Sequence, residues 1–98
     1  RLPILQPDVM RGGLTELRKI ATVADTWGMT LAPHLFPELM VQLMASIPNA
    51  LIIEYVNWME DAWIEPVTPV NGVYTAPERP GHGLAFKPEF ISEYRVAG

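Results

Sequence analysis

The sequence predicts an α/β fold with a parallel sheet, and three observations carry that prediction. Short apolar runs at residues 2–6, 29–33 and 51–53 have the composition of strands covered on both faces. Helical apolar spacing fills both intervals between them, which is the strand–helix alternation of right-handed parallel crossovers. Each run also ends on an ionisable residue, in order Asp8, His34 and Glu54.

The first run, broken only by Pro3, leads through Pro7 to Asp8. Gly12-Gly13 is a turn signal, after which Leu17, Ile20, Ala21, Ala24 and Trp27 recur on one helix face. Gly28 is placed to close that helix as its C′ residue. The second run carries His34 at its end, in Leu31-Ala32-Pro33-His34-Leu35-Phe36-Pro37-Glu38. Pro37 suits the first position of a second helix and Glu38 its first turn, where a carboxylate meets the positive end of the helix dipole. That helix is expected to run on to Ile47, apolar on most sides, and to stop at Pro48-Asn49.

Leu51, Ile52 and Ile53 form the third expected strand. Beyond Tyr55 the alternation breaks. Residues 65–83 are rich in proline and read as an extended arm, with a hairpin at Asn71-Gly72, and residues 87–94 read as a last short helix. The organisation expected is thus residues 1–56 as three strands with two intervening helices, and residues 57–98 as a C-terminal arm.

Composition narrows the function. A chain of 98 residues with a formal net charge of -4 has too few and too scattered basic residues for nucleic acid or an anionic membrane surface. Cysteine is absent, which excludes disulfides and thiolate metal sites and suits a cytoplasmic setting. No apolar run approaches the ~18 residues of a membrane span. Opening at Arg1 with an apolar middle, the chain is expected to be a piece of something longer.

Residues at the carboxyl ends of parallel strands sit on rigid backbone and face a pocket. Asp8 and His34 on successive strands would lie within hydrogen-bond reach, and a histidine oriented by a carboxylate is a tuned general acid/base. Glu54, one strand further, could face the same pocket and serve a developing oxyanion. Each has a plainer alternative: a half-buried histidine bonded to a loop carbonyl for His34, a cap or turn residue for Asp8, and partial burial behind three apolar residues for Glu54. Glu38 reads as a dipole-compensating residue, Arg11 as a surface cation, Trp58 and Trp63 as packing residues, and His82 as structural. By spacing, no set of His, Asp and Glu assembles a metal site within the chain.

At these residues the chain resembles the mandelate racemase/muconate lactonizing enzyme-like branch of the enolase superfamily. The match runs in order through Gln6-Pro7-Asp8-Val9-Met10-Arg11 with Gly12-Gly13, Ala32-Pro33-His34-Leu35-Phe36-Pro37-Glu38, Leu51-Ile52-Ile53-Glu54-Tyr55 and Pro77-Glu78-Arg79-Pro80-Gly81-His82-Gly83-Leu84. The resemblance implies the C-terminal portion of a TIM-like (β/α)7β barrel with parallel strands, whose arm packs towards a capping domain absent from this chain. It implies abstraction of a proton alpha to a carboxylate, with Mg²⁺ stabilising the enediolate. Asp8 and His34 would be the dyad, and Glu54 the acid that hydrogen-bonds the substrate carboxylate. In dehydrating members the same histidine also protonates the departing hydroxyl.

Two differences from the family pattern accompany the likeness. Arg11 meets Gly12 directly, where the family usually has one residue between: either the loop is one residue shorter or a residue is missing from the sequence, and a true deletion would leave the strand carrying Asp8 intact and strain the turn after it. The magnesium carboxylates and a lysine base come from earlier strands in the family and have no counterpart here. The function expected is therefore the C-terminal part of a Mg²⁺-dependent acid-sugar dehydratase or hydroxy-acid racemase. Its partner would be a small carboxylate substrate, and the full-length enzyme a homo-oligomer. The alternative is a catalytically silent partial barrel that serves as an assembly or binding module.

Overall fold

A computed structural model describes residues 2–97. Two short strands, β1 (Ile4–Leu5) and β2 (Thr30–Leu31), pair in parallel with Ile4 opposite Thr30 and Leu5 opposite Leu31. The helix α1 (Val9–Thr26) makes the crossover between them, and α2 (Pro37–Met44) follows β2. The strand–helix alternation and the parallel pairing are as the apolar runs predict.

Inside α1, Gly13 adopts φ 73° and ψ 169°, a backbone region that essentially only glycine reaches. A single turn capped by Asp8 therefore precedes the kink, and the long helical stretch follows it. The buried face of that stretch is narrower than the sequence spacing suggests. Leu17, Ala21 and Ala24 are almost wholly enclosed, whereas Ile20 and Trp27 are 38% and 70% exposed. The difference follows from the small side chains at 21 and 24, which let α1 approach β2 and α2 closely along one line and leave its flanks outside.

Two adjoining apolar clusters fill the space between the helices and the strands. Val9, Leu17, Met40 and Leu43 form one, and Ala21, Ala24, Leu31 and Met44 the other, with Ile47 and Ile53 packed against both. Buried Asn49 fastens them: its Nδ2 donates to the carbonyls of Ala21 and Met29, each at 3.0 Å. The helix α2 ends at Met44, three residues before Ile47, and its C-cap Ala45 donates to Val41 O at 3.0 Å.

The third apolar run does not form the strand expected of it. Its ladder contact is a single parallel bridge from Leu31 to Ala50, and Leu51 and Ile52 lie exposed. A run of Leu-Ile-Ile has the composition of a doubly covered strand, but a ladder needs a neighbour in register, and among the described residues the pairing with β2 stops at the Leu31–Ala50 bridge, where Leu51 N donates to Leu31 O at 2.8 Å.

After residue 57 come a 3-10 turn (Glu60–Ala62), a tight hairpin and α3 (Pro88–Tyr94). The hairpin is the one read from Asn71-Gly72: Val70 and Val73 exchange both backbone hydrogen bonds, with φ 50° at Asn71 and 78° at Gly72. Phe86, Phe90 and Tyr94 continue a row of rings from Trp63. Trp58, read as a packing residue, is instead 73% exposed. Among the described residues no helix is long and apolar enough to cross a membrane.

Candidate active site

Asp8 and His34 face each other because of the sheet register. Asp8 lies 26 residues before His34, the same offset as in both β1–β2 pairs, and the two form a parallel bridge of their own. The backbone N–H of His34 donates to Pro7 O at 3.0 Å, so the pairing continues past the strand ends. Partners in a parallel bridge project to the same face. His34 Nδ1 thus comes to 3.1 Å from Asp8 Oδ2, with side chains 43% and 22% exposed.

Asp8 also fills the plainer role weighed for it. Its other oxygen, Oδ1, accepts the N–H of Met10 at 2.8 Å, capping the first turn of α1. One carboxylate thereby fixes the helix start and the imidazole together. The hydrogen bond from His34 and then the one from Met10 hold the Asp8 carboxyl below its ordinary value of 3.8, against the opposing effect of partial burial. An ionised Asp8 accepts only, so Nδ1 of His34 carries the shared proton. Nε2 is left as the atom that takes or gives one.

Glu54 arrives from the third run and binds the backbone beside His34. Its Oε2 accepts the N–H of Leu35 at 2.8 Å. Leu35 and Phe36 have φ of 57° and 49°, two successive left-handed residues with bulky side chains. The bend turns the chain from the end of β2 into Pro37, the first residue of α2. The sequence signals neither this conformation nor the Glu54–Leu35 bond, since no glycine or asparagine marks the bend and the donor is backbone. The structure therefore brings Asp8, His34 and Glu54 together, Asp8 and His34 directly and Glu54 through Leu35.

The other residues singled out fall elsewhere. Glu38 lies in the first turn of α2, is buried, and accepts from Trp63 Nε1 at 3.2 Å. His82 Nδ1 accepts the N–H of Leu84 at 3.0 Å within its glycine turn, a structural role. Arg11 is exposed. An apolar groove of about 600 Å³ between α2 and the hairpin is lined by Val41, Met44, Ile52, Tyr55, Val73 and Tyr74. Asp8, His34 and Glu54 do not line it. Among the described residues no three His, Asp or Glu side chains converge as a metal site, so the residues present do not by themselves fit Mg²⁺.

Parallel strands with a helical crossover, bearing paired polar side chains at their carboxyl ends, define the class of α/β domains whose sites lie at that edge of the sheet. Within that class residues 2–90 match the family described as Enolase C-terminal domain-like, and the chain belongs to it. It is 34% identical over 97 residues to a 3,6-anhydro-alpha-L-galactonate cycloisomerase of Streptomyces coelicolor, covering 97% of this chain and 27% of that protein. It is 35% identical over 105 residues to a D-xylonate dehydratase of Haloferax volcanii, covering 97% and 26%. Among solved structures, the L-talarate dehydratase from Polaromonas sp. JS666, crystallised with Mg and L-glucarate, superposes with a TM-score of 0.83 at 36% identity. That match covers 92% of this chain and 25% of the Polaromonas chain. The chain spans about a quarter of the length of the relatives it matches.

Proposed function

We propose that these residues are the C-terminal part of a Mg²⁺-dependent enzyme that abstracts a proton alpha to a carboxylate. The reaction is that of an acid-sugar dehydratase or a hydroxy-acid racemase, and Asp8–His34 is its acid/base dyad. The observation that carries this reading is the 3.1 Å contact between His34 Nδ1 and Asp8 Oδ2 across adjoining strand ends. Family membership and relatives named as sugar-acid dehydratases support it.

His34 Nε2 takes the α-proton of the substrate, and Asp8 stabilises the imidazolium that results. The electron pair of the broken C–H bond moves into the carboxylate. In a racemase His34 keeps the proton it took, and a second acid, from a part of the enzyme outside the described residues, delivers one to the opposite face of the α-carbon. In a dehydratase the same imidazolium protonates the β-hydroxyl, which leaves as water, and the enol product becomes a 2-keto-3-deoxy sugar acid. Glu54 hydrogen-bonds the substrate carboxylate.

The Mg²⁺ of this reading would be held by residues outside those described, and its chemistry is to stabilise negative charge on the substrate. The same reading makes residues 57–98 the arm that packs towards a capping domain and completes a TIM-like (β/α)7β barrel with other parts of the enzyme. It takes a small sugar acid or hydroxy acid as substrate and a homo-oligomer as the working form.

The test is His34→Asn in the complete enzyme, assayed by substrate screening on sugar acids. Asn keeps a polar group of similar reach without a titrating nitrogen, so the circular dichroism should be unchanged and turnover lost. Unchanged turnover would sink the assignment.

A further inference from the structure

We propose that Glu54 is a positioning residue for His34, an inference that rests on reading Asp8–His34 as the proton-transfer pair. The geometry points to it in three steps. His34 is joined directly to Leu35 and Phe36, whose φ of 57° and 49° place two bulky residues in succession where L side chains are disfavoured. Such backbone persists only where its surroundings over-determine it.

On the far side the bend is held by α2, since Leu39 N and Met40 N both donate to Phe36 O at 3.0 Å. On the near side His34 N is held by Pro7 O. Between those anchors, the hydrogen bond from Leu35 N to Glu54 Oε2, at 2.8 Å, reaches across from a segment 19 residues away. Remove that acceptor, and the Leu35 peptide loses its partner and the bend can relax towards ordinary φ. The His34 ring, one residue back, then turns off Asp8 Oδ2.

Oε2 is thus committed to backbone, and Oε1 is the oxygen left for a substrate. The role needs an acceptor, not a charge. Gln at 54 can supply one through its side-chain carbonyl, and Ala cannot. The role also depends on the strain it opposes, so Leu35→Gly, which reaches φ near 57° without a Cβ, should make the acceptor dispensable.

The readout is the His34 Nδ1–H resonance of the ¹⁵N-histidine-labelled complete enzyme, which reports the bond to Asp8 independently of turnover. The resonance should persist in Glu54→Gln, be lost in Glu54→Ala, and return in the Leu35→Gly/Glu54→Ala double variant. If Glu54→Ala does not fold by circular dichroism, Glu54→Met, which fills similar space without an oxygen acceptor, is read in its place. A resonance that survives in the Ala or Met variant overturns the positioning role, as does one lost in Glu54→Gln. Turnover retained in His34→Asn would instead refute the dyad and leave the resonance result standing.

Discussion

Trp63 Nε1 donates to the buried carboxylate of Glu38 at 3.2 Å, tying the first turn of α2 to the segment that follows the 3-10 turn. The indole also stacks on Phe86, ring centres 4.4 Å apart. Trp63→Phe keeps a ring for that stack and removes the N–H, so Glu38 loses a donor to its carboxylate. A hydrogen bond to a charged group contributes about 1.5–3 kcal/mol, and Trp63→Phe should lower stability by about that much in chemical denaturation. Glu38→Gln keeps an acceptor and should cost less. Equal losses in the two variants would mean that the bond contributes nothing particular to the charge.

Asn49 offers a second test, because its two donors do separate jobs. Nδ2 reaches both Ala21 O in α1 and Met29 O just before β2, while its buried Oδ1 accepts nothing among the described residues. Asn49→Ala should therefore cost about 1–3 kcal/mol from the carbonyls left without a donor. Asn49→Asp, equal in size, sets a carboxylate against two carbonyl oxygens and should cost more than Ala. Urea unfolding of both variants decides it, and an Asp variant as stable as wild type would refute the donor roles.

Much of this arrangement is legible in the sequence, and the reason is periodicity. Apolar runs and helical spacing place β1, α1, β2 and α2 in order, and strand ends follow from where those runs stop, which is why Asp8 and His34 can be paired without a structure. Asn71-Gly72 and Pro88 carry local backbone preferences strong enough to mark the hairpin and α3. What stays illegible depends on partners that a pattern does not name. Leu51, Ile52 and Ile53 look like a strand but say nothing of their neighbours. Leu35 and Phe36 are held left-handed by an acceptor 19 residues away, against their own preference. Glu38 lies in the first turn of α2 as its sequence position indicates, but nothing local announces that Trp63 Nε1 will donate to it or that it will be buried.

The contact between Asp8 and His34 has a signature in acid. Asp8 titrates below its ordinary value of 3.8 in the folded chain, chiefly through the His34 hydrogen bond. The unfolded chain therefore takes up this proton at higher pH than the folded one. The stability due to Asp8 is present above the ordinary carboxylate value and is lost as pH falls through the lowered folded value. Asp8→Asn should be less stable than wild type near neutrality, with the gap closing as pH falls through the ordinary carboxylate value and then the lowered folded one. His34→Asn should move the Asp8 titration upward in NMR, because it removes the largest cause of the shift. An Asp8 titration unchanged by His34→Asn would mean that the contact is not held in solution.

Tyr74 governs the opposite limb. Burial, and then the charges of Tyr55, Glu38 and Glu60, push its phenol from 10.0 up to about 12. The unfolded chain then loses this proton first as pH rises. Stability linked to Tyr74 is fully present below 10.0 and is lost as pH climbs through about 12. Its buried Oη makes no hydrogen bond among the described residues. Tyr74→Phe deletes an unsatisfied polar atom while keeping the ring, so it should raise stability at neutral pH by about 1 kcal/mol. It should also flatten the alkaline loss of stability above pH 10. Thermal melts from neutral to alkaline pH test both effects. A Phe variant less stable than wild type at neutral pH would show that the hydroxyl has a partner in solution, and an unchanged alkaline limb would assign the loss to another group.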